Sequence, residues 1–263
     1  MQPQPIYTPE NVRPAYHLRF GWTGWPSGGE LPDPPVGEAW QDLVAGWEKD
    51  GLRLLEQRWT REQVQMTFST TPEVSPELVA SRAKGRLQHA LRMAGTPVAF
   101  ARNFAVRSIG DNTRAAVAGY VANQVVRSDL ADPRFRETLA EFAVRDDTVD
   151  LTQPTATGSG RYWYNLHLVL VVAERQRFGK RETLAALREM SVRVGRGRRI
   201  GIAVLSFMPD HLHAVLRPEP ALAPATVAMG FQNNLAWAVG PCAFWEFTYY
   251  VGTFGEYTMG AVR

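Results

Sequence analysis

An internal repeat restricts the folds open to this 263-residue chain more than any other feature. Gln63-Val64-Gln65 falls on His211-Leu212-His213, and FAVRSIGDNTRAAV (104–117) falls on YYVGTFGEYTMGAV (249–262). Around these anchors both halves give the same order of elements. In the first, the alternating, aromatic AYHLRFGWTG (15–24) predicts a strand. VGEAWQDLVAGWEKDG (36–51) carries Trp40, Leu43, Val44 and Trp47 at helical spacing and stops at a glycine. Strands follow at 52–59 and 62–70, then a helix at 75–93 with Ser75 as its cap and Pro76 in its first position. A strand at 103–110 and helices at 112–127 and 133–145 complete this half. The second half gives a strand (161–173), a helix (180–195), strands (198–207 and 211–218), a helix (223–240) and a strand (246–255). The order strand–helix–strand–strand–helix–strand predicts an α+β fold of two ferredoxin-like units, each an antiparallel sheet with packed helices. The polar stretch DDTVDLTQPTATGSG predicts a linker at 146–160 between a first half, 1–145, and a second half, 161–263.

Composition narrows the function. The one cysteine, Cys242, excludes a disulfide framework and a cysteine-based zinc site, and it points to a reducing compartment. No run of about 18 apolar residues is present, so no transmembrane helix is expected. The start, MQPQPIYTPENVRP, lacks the basic-then-apolar pattern of an export signal, and a cytoplasmic protein is expected. Against 26 Asp and Glu stand 29 Lys and Arg, mostly Arg, whose planar fork suits phosphate. A polyanionic partner fits that balance without being established by it.

The sharpest local signal is FMPDHLHAVLR (207–217). Pro209-Asp210 turns the chain into a strand, and alternation projects His211 and His213 to one side, within reach of one metal ion. A His-x-His pair alone fits two structural histidines equally well. In the first half, SIGDNTRAAVAGYVANQ (108–124) puts Tyr120 and Gln124 four residues apart, stacked on one helix face.

MPDHLH resembles the histidine motif of the HUH endonucleases, in particular the single-tyrosine transposases of insertion-sequence and REP-associated type. YNLHLVLVVAERQR (164–177) is similar to the family's first strand, SPELVASRAKGR (75–86) to the helix after the metal-binding strand, and YYVGTFGEYT (249–258) to its last strand and turn. The resemblance implies that Tyr120 is the nucleophile and that His211, His213 and Gln124 hold Mg²⁺ or Mn²⁺. It further implies a metal-dependent single-stranded DNA endonuclease and strand transferase with a 5′-phosphotyrosine intermediate, acting on DNA that contains hairpins. The first half departs from the pattern: Gln63 and Gln65 replace the histidines, which marks a degenerate site. In the second half, the position equivalent to Tyr120 lies beyond Arg263. One copy thus keeps the nucleophile and the other the histidines. A monomeric pseudo-dimer from a tandem duplication, with one composite active site, is expected. The alternative is a catalytically inactive hairpin-binding protein derived from such a transposase, and a weaker one is an RNA-binding sheet protein.

Candidate phosphate contacts are Arg82, Lys84 and Arg86 on the helix at 75–93, and Arg193, Arg196, Arg198 and Arg199 in RVGRGRR. The latter reads as a loop whose glycines let phosphate approach the backbone. Trp22, Trp25 and Trp163 fit base stacking or core anchoring. His17, His89 and His167 show no partner pattern and receive no role. Tyr257 aligns with Asn112, which argues against it as the nucleophile.

Overall fold

The computed structural model describes residues 4–128 and 133–256. The first half contributes β1 (Ala15–His17), β2 (Arg19–Pro26), α1 (Glu38–Lys49), β3 (Leu52–Trp59), β4 (Val64–Thr70), α2 (Pro76–Met93) and β5 (Phe100–Ile109). Next come α3 (Arg114–Ala122), α4 (Gln124–Arg127), α5 (Pro133–Phe142), β6 (Val144–Arg145) and β7 (Thr155–Ala156). The remainder is β8 (Arg161–Trp163), β9 (Leu166–Val171), α6 (Arg181–Arg198), β10 (Gly201–Met208), β11 (His211–Arg217), α7 (Pro224–Val239) and β12 (Tyr250–Thr253). The expected α+β class holds: the strands form two six-stranded mixed sheets, β3-β4-β2-β5-β8-β7 and β1-β12-β9-β11-β10-β6.

Each sheet is built around the same four-strand order. β3-β4-β2-β5 in one corresponds to β10-β11-β9-β12 in the other. The registers correspond too. Phe20 faces Phe68 and Thr23 faces Ala105, as Leu166 faces Leu216 and Val169 faces Tyr250. Alternation sends one face of each sheet to its helices. In the first, Trp22, Met66 and Phe68 are fully buried with Trp47 of α1 and Leu87 of α2, and the Trp47 and Phe68 rings meet edge-on at 5.3 Å. In the second, Leu168, Leu170, Leu212 and Leu216 pack with Leu184 and Leu187 of α6 and Phe231 of α7.

The sheets do not follow the division of the chain into halves. The stretch 15–24, expected as one strand, is two strands in different sheets. β1 runs parallel to β12, and after Leu18 the chain enters the other sheet as β2. The stretch 161–173 splits in the same way: β8 runs parallel to β5, and β9 joins β11 and β12. The stretch expected as a linker is docked rather than free. The Asp146 amide donates to the Ala203 carbonyl, Trp163 Nε1 to Thr152 and Asn165 Nδ2 to Leu151. RVGRGRR is the end of α6, not a loop. Gly195 lies where a Cβ would come within 3.0 Å of the Ile200 carbonyl oxygen and of Ile202, so that glycine serves close packing.

Where β5 and β12 end, the halves clasp each other reciprocally. Ser108 Oγ donates to the Phe254 carbonyl (3.0 Å), and Thr253 Oγ1 donates to the Ile109 carbonyl (2.6 Å). Ser108 Oγ accepts from the Asn165 amide, and Thr253 Oγ1 from the Arg19 amide. Gly110 lies at the crossing, where a Cβ would sit 2.5 Å from the Thr253 carbonyl oxygen and 2.8 Å from Phe254 Cα. Both neighbours are backbone, so neither can swing aside. Gly110→Ala is expected to destabilise by about 1–3 kcal/mol. Gly28→Ala, with nothing within 4 Å, should shift stability by less than about 0.5 kcal/mol. Urea midpoints of the two variants measure the contrast.

Candidate active site

The face of the second sheet turned away from α6 and α7 carries the chemistry. Along β11, Leu212, Ala214 and Leu216 point to the helices, so His211, His213 and Val215 point the other way. Beside them on β9 the same alternation exposes His167, and on β12 it exposes Tyr250. Four rings converge there. The His211 and His213 centroids are 4.9 Å apart, and those of His213 and His167 lie 5.2 Å apart with the planes only 13° from parallel. Tyr250 meets His167 edge-on at 5.9 Å. The aligned positions in the first sheet are Gln63, Gln65, Gly21 and Ala105, so no ring of this group has an aromatic counterpart there. Gln65 is completely buried.

His211 is oriented by a carboxylate. Its Nδ1 lies 2.6 Å from Asp210 Oδ1, while Arg175 Nη1 donates to Asp210 Oδ2 at 3.2 Å. Burial raises the Asp210 pKa, but the hydrogen bonds from His211 and Arg175 outweigh it and hold that pKa below the usual carboxylate value. An ionised carboxylate only accepts, so His211 donates Nδ1–H to it, and in a neutral ring that leaves the lone pair on Nε2. Glu174 and Arg175 both adopt the left-handed backbone region (φ 54° and 55°), which presents Arg175 to Asp210 from the turn after β9. Burial pushes His213 down to about 3, reinforced by His167 and His211, and takes His167 down to about 4. Both therefore remain neutral imidazoles near pH 7, the form that coordinates metals.

The tyrosine helix belongs to the first half but packs on the second sheet. Thr113 caps α3, its hydroxyl accepting from the Ala116 amide, and Arg114 pairs with Glu256. Val117 and Val121, one turn apart, pack with Val204, Val215 and Phe254. Ser206 of β10 donates to the Val121 carbonyl at 2.7 Å. This docking sets the Tyr120 ring edge-on to His213 at 5.8 Å and to His167 at 6.4 Å. Tyr120 is 48 % exposed, so the ring is open to a substrate. The helix expected at 112–127 breaks at Asn123 into α3 and α4, and Gln124 begins the short second piece. Its Nε2 is buried without a hydrogen-bond partner.

The predicted phosphate contacts lie elsewhere. Arg82 and Arg86 both reach Asp50 at the end of α1, and Lys84 Nζ donates to the Ala101 carbonyl. These three brace α2 against its neighbours. On α6, across the sheet from the histidines, Arg193 pairs with Glu189 and Arg198 lies over Gly230. Arg196 and Arg199 are exposed at that helix's end. Trp22 is core, and Trp163 stacks under the Arg107 guanidinium at 3.7 Å. Tyr257 lies outside the described residues.

Sequence reasoning missed His167. Its contact is diagonal across two strands and leaves no linear spacing; the one trace is a histidine interrupting the apolar run LHLVLVV. Among the described residues, no three His, Cys, Asp or Glu side chains converge as a metal cage. The reason is geometric: His167 Nε2 is aimed at His213 Nδ1, 2.9 Å away, and not into a shared space. The two site histidines are arranged as metal donors are: the Nδ1 atoms of His211 and His213 are occupied by partners, which is how metal-ligating imidazoles are normally oriented. The unpartnered atom of Gln124 is its amide nitrogen, which does not ligate a cation.

Residues 161–263 match the family model described as Transposase IS200 like. The match supports a transposase-type function, with DNA as the partner. It spans His167, His211 and His213 and leaves Tyr120 and Gln124 outside. No curated protein matches the chain. Among the described residues, no helix is long and apolar enough to cross a membrane.

Proposed function

We propose that the chain is a metal-dependent single-stranded DNA nicking and joining enzyme of transposase type, a fused pseudo-dimer with one composite site. The observation that carries the reading is the 5.8 Å approach of Tyr120, from the first half, to His213, from the second. The shared strand order and the reciprocal clasp support descent of the two halves from one duplicated unit.

Nε2 of His211 and His213, with the Gln124 amide oxygen, would hold Mg²⁺ or Mn²⁺, and the cation would polarise the scissile phosphate. Tyr120 loses its proton to solvent and its oxygen attacks phosphorus in line. A bond forms between that oxygen and the 5′-phosphate, the bond to the 3′-oxygen breaks, and that oxygen takes up a proton from solvent and leaves as the 3′-hydroxyl. Attack by a 3′-hydroxyl on the phosphotyrosine reverses the step and rejoins DNA, with the phosphodiester energy conserved. Asp210 fixes the His211 ring, and the docked valines of α3 hold the nucleophile over the histidine face. The second potential site carries Gln63 and the buried Gln65 and is inactive in this reading.

The test uses the full chain, Mn²⁺ and a pool of hairpin-bearing single-stranded DNAs labelled at their 3′ ends. The expected product is a covalent protein–DNA band on a denaturing gel, with peptide mapping placing the DNA on Tyr120. DNA binding without an adduct on any substrate overturns the enzyme and leaves a hairpin-binding protein.

A further inference from the structure

We propose that His167 is a positioning residue for His213: by accepting the His213 Nδ1–H it fixes that ring's tautomer and turns its Nε2 lone pair toward the site. The proposal rests on reading His211 and His213 as metal donors.

A neutral imidazole has one donor and one acceptor nitrogen, so the partner of one nitrogen dictates the state of the other. For His211 the Asp210 carboxylate makes the choice. Among the described residues no carboxylate bonds His213; its Nδ1 meets His167 Nε2 at 2.9 Å. If His167 donated in that contact, His213 would carry its proton on Nε2 and could not ligate there. If His167 accepts, both site histidines share one tautomer and both Nε2 atoms are free. His167 then carries its own proton on Nδ1, for which no hydrogen bond to protein is found among the described residues, so water would be its acceptor.

The surroundings lock His167 in place. Its ring lies nearly coplanar with that of His213 (13°), the geometry of an in-line hydrogen bond, and is met edge-on by Tyr250 and by Tyr120. On the strand, Gly252 faces His167 in register, and the Tyr250 side chain folds back over that glycine, where a Cβ would lie 2.5 Å from its hydroxyl. The first-half equivalent of His167 is Gly21, paired with Thr67 where His167 is paired with Val215. The support and the ring it would support are thus missing together from the degenerate copy.

Two readouts on the full chain test this. In metal-free wild type, two-bond ¹H–¹⁵N spectra should show His213 as the Nδ1–H tautomer, and His167→Leu should shift it toward Nε2–H. Mn²⁺ titration followed by electron paramagnetic resonance should show binding weakened about 10- to 100-fold in His167→Leu. His167→Gln keeps an acceptor near the Nε2 position and should recover most of that loss. An Nε2–H tautomer for His213 in wild type overturns the proposal, as does equal Mn²⁺ affinity in wild type and His167→Leu while His213→Ala abolishes binding. Equal affinity in wild type and His213→Ala sinks the metal reading instead, and the tautomer spectrum of the metal-free protein still judges the positioning role separately.

Discussion

Tyr120→Phe is expected to abolish the covalent protein–DNA adduct, with strand cleavage falling by at least about three orders of magnitude. The same variant should change folding stability by less than about 0.5 kcal/mol, because the Tyr120 hydroxyl has no hydrogen-bond partner among the described residues and the ring contacts survive. Binding to the uncleaved strand should persist. Gel analysis, urea unfolding and filter binding on one preparation separate the three quantities. An adduct that survives the substitution would move the nucleophile elsewhere. Tyr250, which is 37 % exposed beside His167, is the next hydroxyl on that face. Its pKa is raised by burial, reinforced by Asp111, so it is less readily ionised than an ordinary phenol.

Acid should weaken the fold well before its carboxylates titrate. The unfolded chain protonates His167 and His213 near their ordinary value of 6.5, whereas the folded protein holds them neutral down to about 4 and about 3. Between those limits the unfolded state binds more protons, so stability falls as pH falls. Above about pH 7 neither state is protonated and the effect vanishes. By pH 5 each histidine costs about 2 kcal/mol, roughly 4 kcal/mol for the pair. Asp50 and Asp210, both with lowered pKa values, lose their contribution only in more acidic solution. Urea unfolding of metal-free protein at pH 7.5 and pH 5 measures the slope. The double variant His167→Leu/His213→Leu should flatten it, and a wild-type midpoint unchanged between the two pH values refutes the burial argument.

What the sequence disclosed and what it hid divide along a physical line. His211 and His213 are legible because a strand's two-residue period sets both on one face without help from any neighbour. Ser75 and Pro76 announce the start of α2 through local capping, and the Ser75 hydroxyl does accept from the Leu78 amide. The exchange of β1 and β8 is illegible, since apolar alternation runs on through Leu18 and Asn165 and only the pairing partner changes. The end of α6 looked like a loop because glycine and arginine crowd there. Its conformation is set by Ile200 and Ile202, which come back against Gly195 after the chain turns. His167 escaped notice for the same reason: its meaning lies on a strand 46 residues later. The break at Asn123 likewise leaves Tyr120 and Gln124 adjacent in sequence logic but on separate helical pieces.

The exchanged strands also bear on how the molecule is born. A ribosome delivers β5 long before β8, and β1 before every strand of the sheet it joins. Nascent β5 therefore waits with an open edge, and β1 waits for β12, which follows every other strand in chain order. Completion of the first sheet thereby waits for β8 and that of the second for β12, and a ribosome that stalls before β8 releases a chain with two sticky borders in place of one finished lobe.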